Sequence, residues 1–120
     1  MFMTVTAMAI RIDSGARFWR WNERGVLICR VDARRQIRGR YGMQDVADVE
    51  CVHGMRYIVP LTVRLQMLRE GGFYAIRFDG KNGRVIRYTV WSLAEEEWRQ
   101  LQQPGRRFDF GTGTVIHGQT

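Results

Sequence analysis

Between Phe73 and Trp91 the chain alternates side chains with the two-residue period of a half-buried strand, interrupted at Lys81-Asn82-Gly83. Taken as a three-residue loop with Gly83 at its left-handed position, the interruption predicts a β-hairpin. Phe78 then faces Ile86, Ile76 faces Tyr88 and Tyr74 faces Val90, a wholly apolar face. The reverse face pairs Ala75 with Thr89, Phe73 with Trp91 and Arg77 with Arg87. Directly opposed like charges cost up to about 1 kcal/mol, so this face predicts an anion nearby, from the chain or from a partner.

The same alternation predicts two more hairpins. Arg17 to Val31 folds around Glu23-Arg24-Gly25, with Trp21 opposite Leu27 and Trp19 opposite Cys29 on an apolar face. Its reverse face carries Phe18, Arg20, Ile28 and Arg30. Ala47 to Val59 folds around Val52-His53-Gly54, so that Ala47, Val49 and Cys51 meet Val59, Tyr57 and Met55, with Glu50 opposite Arg56. A short helix over Val46–His53, capped by Asp45, competes with this hairpin, but its three valines weaken it. Residues 3–12 predict a first strand with Met8, Ile10 and Ile12 on one face. Residues 61–69 lie between the helix-boundary signals Pro60 and Gly71-Gly72, yet Leu61, Val63, Leu65 and Met67 alternate as in a strand. Strand is the preferred reading there.

Ser92 to Gln103 (about 92–103) predicts the one helix. Ser92 with Glu95 forms a capping box, Glu95, Glu96 and Glu97 suit the positive end of the helix dipole, and Pro104-Gly105 stops it. Leu93, Trp98 and Leu101 are its core contacts, and a last short strand fits Thr114 to His117. Residues 32–44 are polar and punctuated by glycine, and read as a basic loop or edge segment. The expected fold is a β-dominated α+β domain spanning residues 1–120. Antiparallel hairpins form a curved sheet or small open barrel, with the helix packed over one end.

Charge sharpens this picture. The net charge of +7 favours anionic partners, and Lys81 is the only lysine among nineteen basic residues. Arginine offers a planar fork that suits carboxylate, phosphate or guanine. Residues 1–44 hold nine arginines against Asp13, Glu23 and Asp32, a net of +6, so the charge is concentrated. Cys29 and Cys51 are expected to be free thiols, which favours a reducing, cytoplasmic location. No apolar run is long enough for a membrane span, and the N-terminus lacks the basic start of a signal peptide.

Arg30, Arg34, Arg35, Arg38 and Arg40 with Tyr41 have the composition of a phosphate-tracking arm carrying one stacking aromatic. Arg77 and Arg87, flanked by Phe73 and Trp91, make a second candidate anion surface unless Glu96 or Glu97 folds back to neutralise it. Trp19 and Trp21 read as core, because they share a face with Leu27 and Cys29. The preferred function is a non-catalytic binding module for an anionic partner, with nucleic acid ahead of an acidic protein. An inhibitor or adaptor using sheet edges and the Phe18/Ile28 surface is the alternative. A small ribonuclease using His53, His117 and Lys81 ranks third, since no spacing links the three. Cys29, Cys51, His53 and His117 match no zinc spacing, so no cofactor or metal is expected. Oligomeric state is not legible in the pattern.

Overall fold

The structure is a computed structural model and describes residues 16–19, 25–82 and 84–117, with only the backbone at 84–86. The elements in order are β1 (Ala16–Phe18), β2 (Gly25–Gly39), β3 (Gly42–Cys51) and β4 (Arg56–Pro60). A 3-10 turn (Val63–Leu65) precedes β5 (Phe73–Lys81) and β6 (Arg84–Leu93). Helix α1 (Glu95–Leu101) and the hairpin β7 (Arg106–Asp109) and β8 (Thr114–His117) follow. Six strands form one sheet in the order β1-β4-β3-β2-β5-β6, and β7–β8 form a second, two-stranded sheet. The fold is β-dominated α+β, with one helix and an unclosed sheet among the described residues.

The Ala47–Val59 hairpin has its predicted register. Ala47 pairs with Val59, Val49 with Tyr57 and Glu50 with Arg56, and the Cys51 N–H donates to Met55 O at 2.8 Å. Gly54 takes φ of 89° in the turn, which a side chain would resist. The strand predicted at Thr114–His117 is also present, as β8.

Four expectations need correction. First, β6 is displaced by two residues along β5. Phe78 lies opposite Tyr88, Ile76 opposite Val90, Ala75 opposite Trp91, and Arg77 opposite Thr89. The reversal is tighter than a three-residue loop: Lys81 pairs with Arg84, Asn82 takes φ of 54°, and the register shifts beside it at Asp79/Gly80, where a bulge sits. Asn-Gly is the sequence two-residue reversals favour, because asparagine tolerates the left-handed region. A two-residue slip preserves which side chains share a face, so the apolar face survives. The Arg77–Arg87 pair does not, because Arg87 lies opposite Asp79.

Second, 61–69 is not a strand. Val63 and Met67 are exposed, whereas Leu61, Leu65 and Leu68 are buried, a spacing of four and three that suits a turn of helix. Side chains satisfy the backbone here: the Arg69 N–H donates to the Tyr74 hydroxyl at 3.0 Å. Third, the helix begins at Glu95, and Ser92 remains in β6 opposite Tyr74. The capping contact therefore moves along the chain, with the Ala94 N–H donating to Glu97 Oε1 at 2.8 Å. Trp98 and Leu101 are its buried contacts, and Leu93 just before it is buried too.

Fourth, Arg17 and Phe18 do not pair with β2. β1 runs parallel to β4, with Phe18 beside Ile58, so the sheet is mixed. Cys29 already has Cys51 and Tyr74 as its two neighbours. Trp19 nonetheless joins the same core as Leu27 and Cys29, stacked on Phe78 at 5.2 Å. The strand predicted at 3–12, Arg20, Trp21 and the turn around Glu23-Arg24 lie outside the described residues.

The two faces of the sheet bury different cores. One holds Leu27, Cys29, Val31, Val49, Leu65, Leu68, Ile76 and Phe78. On the other, α1 and the β7–β8 hairpin cover Ala75 and Leu93 with Leu101 and Phe108. The β7–β8 turn is held by Asp109, whose carboxylate accepts the Gly111 N–H at 2.9 Å and the Thr112 hydroxyl at 3.0 Å. Those bonds to the charged form, the Gly111 N–H foremost, hold the carboxyl below its ordinary pKa.

Candidate anion-binding interface

The basic segment 32–44 is not a loop. Asp32 to Gly39 continue β2 and Gly42 to Gln44 open β3, in a hairpin reversed at Arg40-Tyr41. It is an edge, however: β5 pairs with β2 only from Gly25 to Arg30, so beyond Val31 one side of β2 has no strand partner among the described residues. The 66–72 loop lies along part of that side, with Val31 bonded to Gly71 and Gly72 and the Arg34 N–H donating to Glu70 Oε2 at 2.8 Å. β4 leaves β3 at Val46. From Gln36 to Gln44 the two strands therefore pair, among the described residues, only with each other, as a projecting ribbon.

This geometry divides the arginines into two groups. Arg30 donates to Asp32 at 2.7 Å and Glu50 at 3.1 Å, and its guanidinium lies 6.0 Å from the centre of the Trp98 ring. The hydrogen bond to Asp32 raises its pKa further, against the opposing effect of burial. Arg34 donates to Gln66 O at 3.0 Å, Leu68 O at 2.8 Å and Gln66 Oε1 at 2.8 Å, so it holds the turn after β4 in place. Arg35 forks onto both oxygens of Asp48 at 2.7 and 3.0 Å. These three are occupied by the fold.

Arg38 and Arg40 are exposed and make no hydrogen bond or ion pair among the described residues. Tyr41, in the reversal between them and β3, is 94% exposed, and Met43 opposite Arg38 is 57% exposed. The ribbon 36–44 contains no acid, and Asp45 at its base is engaged by Gln36 and Gln66. Among the described residues, a pair of guanidinium groups with no counter-ion is thus presented at the tip with an exposed phenol ring.

The second candidate surface is covered at its aromatic residues, while Arg77 and Arg87 stay exposed. Arg77 is 3.7 Å from Asp79 and lies over the Phe110 ring at 5.6 Å. Phe73 packs on Trp98, and Trp91 packs on Phe108 while its indole N–H donates to Phe110 O at 3.1 Å. The β7–β8 hairpin, of which only the second strand was expected, is what packs on Trp91 and meets Arg77 through Phe110. Glu97 instead caps α1, and Glu95 pairs with Arg99 at 2.7 Å. Ile28 is partly buried against the Ala75, Leu93, Leu101 and Phe108 cluster, while Phe18 on β1 stays half exposed.

His53, His117 and Lys81 stand at the β3–β4 turn, the end of β8 and the end of β5, and no hydrogen bond among the described residues links them. Among those residues no cluster of three His, Cys, Asp or Glu side chains is placed to hold a metal ion. No helix in the described residues is long and apolar enough to cross a membrane. Compared with known protein families, curated proteins and solved structures, the chain matches none.

Proposed function

We propose that this protein is a non-catalytic module that binds nucleic acid through the tip of the β2–β3 ribbon. The observation that carries this is the contrast among its arginines. Arg30, Arg34 and Arg35 are bound to acids and carbonyls, whereas Arg38 and Arg40 are left without an internal anion among the described residues, beside exposed Tyr41. A two-stranded ribbon fits a nucleic-acid groove, and a tyrosine at its end offers a stacking face to an unpaired base. The guanidinium groups would contact phosphates, so affinity should depend steeply on salt and little on sequence.

The test is a titration of a labelled oligonucleotide at several salt concentrations. Arg38→Ala with Arg40→Ala should weaken binding and flatten the log–log salt slope by about two units, one for each phosphate that the arginines no longer neutralise. Tyr41→Ala should weaken single-strand binding by about 1–3 kcal/mol and leave the slope nearly unchanged. Absence of wild-type binding at low salt would overturn the reading in favour of an acidic protein partner, for which Met43 adds an apolar contact. Binding unchanged in the folded double variant would place the site elsewhere.

A further inference from the structure

Cys29 and Cys51 face each other across β2 and β3, at the end of this strand pair opposite to the ribbon. The Cys51 N–H donates to Met55 O at 2.8 Å and its carbonyl accepts the Gly54 N–H at 2.9 Å. Both main-chain groups of Cys51 therefore turn toward β4, away from Cys29. That makes 29/51 a non-hydrogen-bonded pair, the kind in which facing Cα atoms approach to about 4.5 Å. Disulfides span Cα separations from about 4.4 Å upward. Both side chains enter the same core, and both thiols are free. We propose that Cys29 and Cys51 are a reversible disulfide site, formed by reaction with a hydroperoxide and cross-linking β2 to β3 at the end of the pair far from the ribbon.

Cys51 is the first thiol to react. It is 8% exposed against 0% for Cys29, and it lines a largely apolar cavity of about 360 Å³ with Trp19, Leu27, His53 and Met55. A small peroxide reaches the sulfur through that cavity. The Cys51 thiolate attacks the terminal peroxide oxygen, the O–O bond breaks, and the alkoxide or hydroxide released takes up the thiol proton. Cys51 is then a sulfenic acid. The Cys29 sulfur attacks the Cys51 sulfur, the S–S bond forms, the S–O bond breaks, and water leaves with the Cys29 proton. The two sulfurs lose two electrons in total, which the peroxide gains.

Two features set the behaviour of the bond. Facing Cβ atoms in such pairs lie near about 4.5 Å or slightly more, whereas a disulfide prefers about 3.8 Å, so closure strains the ladder and favours re-reduction by thiols. Burial pushes the Cys51 thiol up to about 12 and Cys29 higher still, so thiolate is scarce at neutral pH and oxidation is slow.

The experiment treats the full chain with hydrogen peroxide at mildly alkaline pH, alkylates remaining thiols in denaturant, and maps peptides by mass. Expected is the joint loss of both thiols in a monomer lighter by two hydrogens, a 29–51 linked peptide, and recovery of both thiols with dithiothreitol. Cys29→Ser should instead accumulate oxygen on Cys51. If that variant does not fold, the wild-type map alone decides. Thiols that persist under conditions that consume a free cysteine peptide would overturn the proposal. So would oxygen added to Cys51 with Cys29 still free, or linkage only between chains.

Discussion

Replacing Arg34 by alanine separates a structural arginine from the two at the ribbon tip. The guanidinium of Arg34 makes three hydrogen bonds to the turn after β4, of which the one to Leu68 O at 2.8 Å is partly buried and the two to Gln66 are exposed. A bond from a charged donor to a partly buried carbonyl is worth about 1.5 kcal/mol net, and the exposed ones a few tenths each once water competes. Removing all three should cost about 2 kcal/mol. The turn it holds carries Leu65 and Leu68, both fully buried, so the change should propagate into the core rather than stay at the surface. With a urea dependence of about 1.5 kcal/mol per molar, the unfolding midpoint should fall by roughly 1.3 M. Arg38→Ala, which removes no side-chain partner among the described residues, should shift the midpoint by no more than about 0.3 M. Lysine at 34 should recover only part of the stability, because a single ammonium cannot reproduce the fork onto three acceptors. Equal midpoints for Arg34→Ala and wild type would refute the reasoning, as would equal shifts for Arg34→Ala and Arg38→Ala.

Two further measurements address other parts of the fold. Gly113 has φ of 74°, and a Cβ there would meet the Trp91 ring at 2.6 Å, so Gly113→Ala should cost about 2 kcal/mol in urea unfolding; an unchanged midpoint would contradict the packing of the β7–β8 hairpin on β6. Because the thiolate is the nucleophile and the Cys51 pKa is raised to about 12 by burial, its alkylation should quicken about tenfold per pH unit from neutral upward and precede that of Cys29; prompt labelling of Cys29 at neutral pH would contradict its place in the core.

Much of the local structure is legible from periodicity and turn residues. The Ala47–Val59 register, the β8 strand, the apolar faces of β5 and β6 and the contacts of Trp98 and Leu101 all follow from neighbours a few residues apart. Register at β5–β6 does not, since a slip of two residues leaves every side chain on its own face and the hydrophobic pattern is blind to it. The Asn82 reversal and the Asp79/Gly80 bulge decide it. Residues 61–69 mislead because the alternation of Leu61, Val63, Leu65 and Met67 is also compatible with a 3-10 turn that buries Leu61, Leu65 and Leu68.

The candidate site shows the same division. Composition locates the concentration of arginine and the neighbouring tyrosine, because charge and aromatic content are properties of the chain. Which arginines remain available for a partner depends on acids and carbonyls far away in sequence. Asp48 is 13 residues from Arg35, Glu50 is 20 from Arg30, and Leu68 is 34 from Arg34. Pairing of β2 with β3, and the turn after β4 folding against the edge of β2, bring those partners within hydrogen-bond reach. Among the described residues, long-range strand pairing thus leaves Arg38 and Arg40 without a side-chain partner at the tip, a selection that no local window of residues contains.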